Sequence, residues 1–126
     1  MVTNFESITY ELTEDELKHV SGLVLALKLR TKESAIKAPE IVKSMNIFAE
    51  RHNLCKMTDA RLRKCINYIR SNSILPVIAG SNGYYTSFDE KELSDQIKSL
   101  TERANSILDC VFGLNKILKD GRQGNG

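Results

Sequence analysis

The stretch KMTDARLRKCINYIRSNSILPVIAGSNGYYTSFDE, residues 56–90, decides the fold of this chain. Its first half predicts a helix, because Leu62, Cys65, Ile66 and Ile69 recur at helical spacing and form one apolar stripe. Thr58 is placed to cap the start of that helix, with Met57 and Leu62 set for a hydrophobic staple across the cap.

The second half of the stretch predicts a β-hairpin. Residues 74–79 are rich in branched side chains, and Pro76 indicates an edge strand or the start of a strand. Residues 80–83 form a glycine-containing turn in which the pair Asn82-Gly83 is a strong hairpin signal, and residues 84–86 are the return strand. Gly83 is predicted to need a positive φ angle.

Two further helices precede the stretch. Thr13 and Glu16 form a capping-box pattern before an apolar repeat, which predicts a first helix at about residues 14–30. Pro39 suits the first turn of a second helix, and Asn53 suits its C-terminal stop. The hairpin therefore follows three helices.

A long helix is predicted after the hairpin, with Asp89 as its cap. Its apolar residues alternate at spacings of four and three, which is the repeat of a coiled coil. We therefore expect a homodimer through this helix. The seam positions are Leu93, Ile97, Leu100, Ala104, Ile107, Val111, Leu114 and Leu118. The alternative is that the helix folds back onto its own domain.

The fold class predicted from this order is mainly α with a two-stranded β-hairpin, a winged helix-turn-helix plus a long C-terminal helix. The predicted domains are 1–88, a winged-helix domain with an acidic N-terminal segment, and 89–119, the heptad helix. Residues 120–126 are expected to form a disordered, glycine-rich tail.

Residues 54–93 resemble small winged-helix proteins encoded by phages and prophages. The shared features are a capped T-x-A-R-L-R-K helix start, the segment I-N-Y-I-R and the return strand G-Y-Y. The first two helices match that family only in order and length. The resemblance implies binding of double-stranded DNA, as a transcriptional regulator or a replication accessory factor.

Basic residues concentrate on the helix that the resemblance assigns to DNA recognition, although the net charge of the chain is only +2. A helix in the major groove reads base edges, and cations beside it contact phosphates. The candidate base readers are Thr58, Arg61, Lys64, Asn67 and Tyr68, and the candidate phosphate contacts are Arg63 and Arg70. The hairpin tip adds Ser81 and Asn82, but it lacks the Lys or Arg that many DNA-contacting wings carry.

Other function classes receive little support from the 126 residues. The three cysteines and two histidines lack metal-ligand spacing, and no nucleophile elbow, phosphate-binding loop or HExxH motif occurs. We therefore expect no enzyme activity, no cofactor and no metal. Apolar runs too short for a bilayer and the lack of a signal-peptide pattern predict a cytoplasmic protein. The alternative function is a protein-interaction module whose basic helix docks an acidic partner protein.

Overall fold

The computed structural model describes the backbone of residues 11–125 and the side chains of residues 11–121. The first ten residues, which hold part of the predicted acidic segment, lie outside the described range. The chain divides into two compact units, Met1–Asp89 and Glu90–Gly126.

The first unit contains three helices followed by a hairpin. They are α1 (Glu14–Leu27), α2 (Ala38–His52) and α3 (Asp59–Ser71), then β1 (Val77–Gly80) and β2 (Gly83–Thr86). A short 3-10 turn, Lys32–Ser34, lies between α1 and α2. The second unit is the single long helix α4, Glu90–Asn125. The predicted fold class, mainly helical with a two-stranded hairpin and a long C-terminal helix, is confirmed.

Local capping signals set the helix ends as the sequence predicted. The Oγ1 atom of Thr13 accepts from the Glu16 backbone N–H at 3.1 Å, and the Glu16 carboxylate accepts from the Thr13 N–H at 2.9 Å. Pro39 lies in the first turn of α2, and Asn53 ends that helix with a left-handed φ of 52°. α1 ends at Leu27, three residues before the predicted end.

The core of the first unit lies between the three helices and the start of the hairpin. The α3 stripe that the sequence predicted is fully buried there, together with Met57. The other members of the cluster come from α1, α2 and β1: Val20, Leu23, Leu27, Ile41, Met45 and Val77. Burial of this apolar surface is the main favourable term that holds α3 in place.

The hairpin differs from the prediction in the start of each strand: β1 starts later than predicted, and β2 starts at Gly83 rather than at Tyr84. β1 begins at Val77, after Pro76, rather than at Ile74, because proline has no N–H to donate to a strand partner. The strands pair antiparallel from Val77 with Thr86 to Gly80 with Gly83, so the loop consists of Ser81 and Asn82. Gly83 has a φ of 123°, as predicted.

The last helix is longer than expected. The sequence ended it at residue 119 and assigned 120–126 to a disordered tail, whereas the helix continues through Asn125. Gly121 weakens a helix by about 1 kcal/mol relative to Ala but does not break it, and no proline follows. Within residues 11–125, none of the helices is long and apolar enough to cross a membrane.

Candidate nucleic-acid interface

The start of α3 is fixed by its predicted cap. Thr58 Oγ1 accepts a hydrogen bond from the Arg61 backbone N–H at 3.1 Å. Met57 and Leu62, on either side of the cap, are both completely buried. The direction in which the chain enters α3 is therefore set by a polar and an apolar contact together.

Asn46 of α2 reaches across to the residue before that cap. Its Nδ2 donates to the Met57 carbonyl at 3.1 Å, and its Oδ1 accepts from the Met57 N–H at 2.7 Å. One side-chain amide thus satisfies both polar groups of a backbone unit, as a neighbouring strand would. This pair of bonds ties α2 to the start of α3.

α1 binds the same connection two residues earlier, at Cys55. Asp15 Oδ2 accepts from the Cys55 N–H at 2.8 Å, and the Nε2 atom of His19 lies 2.8 Å from the Cys55 carbonyl, to which it donates in the Nε2–H tautomer. His19 is fully buried. The loop between α2 and α3 is therefore hydrogen-bonded to both preceding helices, and these bonds hold the start of α3 in place.

Glu16 of α1 is a buried carboxylate that pairs with two partly exposed cations of α3. Only 3% of Glu16 is exposed. Its Oε2 is 3.2 Å from Arg61 Nε and its Oε1 is 3.0 Å from Lys64 Nζ. Arg61 also donates to the Lys56 carbonyl at 2.8 Å. A buried carboxylate needs such partners, because an unpaired charge away from water is strongly destabilising.

This cluster changes the expected role of two candidate base readers. The sequence placed Arg61 and Lys64 on the outer face of the helix, but their charged ends are directed to α1. Their side chains are 40% and 24% exposed. The physical reason is tertiary: the acid that attracts them is 45 or more residues earlier in the chain, so no local pattern on α3 reveals it.

The ionisation of this cluster follows from competing effects. Burial raises the pKa of Glu16, but the hydrogen bond from the Thr13 backbone and the contacts of Lys64 and Arg61 outweigh it, so the pKa is lowered overall. Burial, with the negative charge of Glu16 nearby, raises the pKa of the Cys65 thiol to about 11. Cys65 therefore stays protonated at neutral pH and fills space in the core, as its apolar stripe position predicted.

The outer face of α3 carries the side chains that are free to meet a large ligand. Arg63 and Asn67 are exposed there, one turn apart, with Asp59, Ala60 and Ser71 along the same side. Arg63 contacts Asp59 at 3.6 Å, and both side chains are 65% exposed. An exposed pair of this kind contributes little stability, so it does not lock the Arg63 side chain.

Tyr68 and Arg70 have structural contacts. Tyr68 is half-buried and packs against the core. Arg70 Nε donates to the Val77 carbonyl at 3.0 Å, which joins the end of α3 to the first strand of the hairpin. The sequence assigned Tyr68 to base reading and Arg70 to phosphates; the contacts show that each also helps to position the helix or the hairpin.

A third segment pairs with the hairpin and was missed by the sequence analysis. Ile36, in the connector between α1 and α2, forms an isolated antiparallel bridge with Tyr84. The Ile36 N–H donates to the Tyr84 carbonyl at 3.0 Å, and the Tyr84 N–H donates to the Ile36 carbonyl at 2.8 Å. The only local sign of this pairing in the sequence was the apolar pair Ala35-Ile36 within a polar connector.

The hairpin tip itself is small and polar. Ser81 and Asn82 are exposed, and neither has a positive φ. Gly83 follows them, and a Cβ atom there would collide with the backbone of Ile36. Position 83 therefore requires glycine, because the backbone of the connector passes directly beside it.

The predicted seam of α4 forms an apolar stripe along the helix. Ile97 and Leu114 are 62% and 67% exposed, and Ile107, Val111 and Leu118 are also exposed. Leu93 and Leu100 are half-buried, and Ala104 is exposed. Leu108, Cys110, Phe112 and Ile117 widen the exposed apolar surface in the C-terminal half of the helix.

Comparisons with protein-family models, with curated proteins and with solved structures each return no match to this chain.

Proposed function

We propose that this protein binds double-stranded DNA, with α3 in the major groove and the hairpin as a wing beside it. The observation that carries the proposal is the exposed pair Arg63 and Asn67 on a helix whose other sides are fixed by the core and by Glu16. The sequence assigned Arg63 to phosphate contacts. Because Arg61 and Lys64 pair with Glu16, Arg63 takes the base-reading role in this proposal. Arginine pairs with guanine and asparagine with adenine through two hydrogen bonds each. A rigidly held helix presents such groups without a large loss of conformational entropy.

The order of the elements supports the same proposal. A helix-turn-helix places its second helix in the groove while the preceding helix crosses the backbone. Here α2 and α3 are joined by the Asn46–Met57 bonds, and Arg70 links α3 to the wing. The pathway we propose is transcriptional regulation or an accessory role in replication.

We further propose that the protein is a homodimer through α4. This helix has 36 residues and is therefore about 54 Å long. One seam position of the heptad holds Ile97, Ala104, Val111 and Leu118, and the other holds Leu93, Leu100, Ile107 and Leu114. β-Branched Ile97 and Val111 at the first position, with leucine at three of the four second positions, are typical of two-stranded parallel coiled coils. Two parallel helices begin at the same end, so each dimer carries two tethered recognition helices for two half-sites.

A binding titration tests the proposed function. Fluorescence anisotropy with labelled duplexes of random sequence is measured at about 50 and about 200 mM salt. We expect saturable binding that weakens steeply with salt, because phosphate contacts release counterions. Binding to an acidic polypeptide together with no retention of duplex DNA at either salt concentration would instead favour a protein-interaction module.

A further inference from the structure

The connector between α1 and α2 is strongly basic. Residues 28–37 hold Lys28, Arg30, Lys32 and Lys37 against a single acid, Glu33. The helix that was expected to carry the basic surface turns two of its cations, Arg61 and Lys64, towards Glu16. The connector is therefore a second concentration of positive charge, which the sequence analysis did not connect with the wing.

Backbone hydrogen bonds fix this connector along the second strand of the hairpin. Thr86 donates through its N–H to the Arg30 carbonyl at 3.1 Å and through its Oγ1 to the Leu27 carbonyl at 2.8 Å. Six residues after Arg30, beyond the 3-10 turn, the bridge between Ile36 and Tyr84 adds two more bonds. The connector is thus hydrogen-bonded to β2 on both sides of the 3-10 turn.

Lys37 is anchored beside the turn of the hairpin. Its backbone nitrogen lies 2.8 Å from the place where a Cβ of Gly83 would be, so the two backbones are in direct contact. Lys37 is also the residue that precedes α2, and its side chain is exposed. The closest approach of the connector to the hairpin therefore brings a lysine to a tip that has no cation of its own.

Lys32 and Lys37 are both available to a ligand. Each is exposed, and neither makes an ion pair with another residue whose side chain the structure describes. Arg30 is less available, because its guanidinium donates to the Ser34 carbonyl at 3.0 Å. The two lysines are thus held by a fixed backbone while their charged ends reach into solvent.

We propose that Lys32 and Lys37 of the connector supply the phosphate contacts of the wing, in place of residues at the hairpin tip. This inference rests on the proposed binding of duplex DNA. The ammonium group of lysine is a compact point charge that suits phosphate contacts, and such contacts position a protein on DNA without reading its sequence. Because Arg70 joins the hairpin to α3, these contacts orient the recognition helix on the duplex.

The double variant Lys32→Gln/Lys37→Gln tests this inference. Each phosphate contact contributes about 0.9 to the magnitude of the slope of log affinity against log salt concentration. Removing two contacts is therefore expected to make the slope shallower by about 1.8. We expect that change with no change in the preferred DNA sequence. The variant Lys32→Arg/Lys37→Arg keeps both charges and is expected to keep the slope of the parent protein.

The matched control is Lys18→Gln/Lys98→Gln, which removes the same charge from exposed positions on α1 and α4. It is expected to keep the salt slope. If the parent binds DNA and the two glutamine double variants have the same slope, the assignment of Lys32 and Lys37 is wrong while the proposed function stands. A parent that binds no duplex at low salt overturns the proposed function and this inference with it.

Discussion

Arg61 Nε of α3 lies 3.2 Å from Oε2 of Glu16, a buried carboxylate of α1. Lys64 Nζ contacts the other oxygen of the same carboxylate at 3.0 Å. The basic helix is thus divided into two sets of side chains. Arg61 and Lys64 form ion pairs with α1. Arg63 and Asn67 remain exposed on the outer side of α3.

This division predicts that the two sets respond differently to mutation. The variant Arg61→Ala/Lys64→Ala leaves the Glu16 carboxylate buried and unpaired, so we expect the free energy of unfolding to fall by about 2–3 kcal/mol. The partial exposure of Arg61 keeps this loss below that of a fully buried pair. Urea denaturation measures the change.

Adding Glu16→Gln to that double variant provides the control. Glutamine keeps a side-chain acceptor for the Thr13 N–H but removes the charge that needs a partner, so part of the lost stability is expected to return. Equal urea midpoints for the parent and the double variant would mean that the cluster does not hold α3.

The lowered pKa of Glu16 predicts a dependence of stability on pH. Since the pKa of Glu16 is lower in the folded state than its ordinary value of 4.5, ionisation of Glu16 stabilises the fold above that pH. This contribution is lost as the pH falls through the folded pKa. We expect the urea midpoint to fall as the pH drops below 4.5, and Glu16→Gln to flatten the decline. A decline of the same size in that variant would assign the effect to other acids.

Gly83→Val is predicted to disrupt the wing. A Cβ at this position would collide with the Ile36 carbonyl, and the φ of 123° is unfavourable for any residue with a side chain. We expect a loss of more than about 2 kcal/mol in thermal unfolding, from backbone strain and from the broken bridge to Ile36.

Gly22→Ala is the matched control for this change. Gly22 lies in α1, where an added Cβ would have no atom within 4 Å. Alanine there is expected to stabilise the protein by about 0.5–1 kcal/mol. If Gly83→Val melts at the same temperature as the parent protein, the connector does not pack against Gly83 as closely as described.

The variant Leu100→Asp/Ile107→Asp tests the proposed dimer. Placing two charges in an apolar seam between chains is far costlier than dissociation, so we expect a folded monomer with weaker DNA binding. Light scattering gives the mass, and circular dichroism reports whether the fold survives. The control Ser99→Asp/Ser106→Asp adds the same charge beside the seam positions and is expected to stay dimeric.

Two results would contradict the dimer. The first is a parent protein that is monomeric at high concentration. The second is loss of the whole fold in Leu100→Asp/Ile107→Asp, which is what a stripe packed onto its own domain predicts.

Sequence reasoning succeeded where the determining interactions are local. Thr13, Thr58 and Asn53 act on neighbouring backbone groups, so their cap positions could be recognised from spacing alone. Gly83 belongs to the same class, because a turn glycine is identified by its neighbours.

The missed features all depend on residues that are distant in the chain. Glu16 pairs with Lys64 across 48 positions, and Ile36 pairs with Tyr84 across the whole helix-turn-helix segment. Asn46 was an ordinary polar residue of a helix until the fold brought it to Met57. The pairing of Glu16 changes which cations of α3 are free for a ligand, so the candidate site was harder to predict than the fold.

The most direct test of the account compares Arg63→Ala/Asn67→Ala with the parent on one tightly bound duplex, selected by the parent from a random library. Both side chains are exposed, so the urea midpoint is expected to stay unchanged. The binding free energy is expected to weaken by about 1–3 kcal/mol for each lost base contact, which lowers the affinity by about 30-fold or more when both contacts are lost. Lys18→Ala, on exposed α1 surface, is the control for loss of charge. Equal affinities for the parent and the Arg63/Asn67 variant would contradict the assignment of the outer face of α3 to DNA recognition.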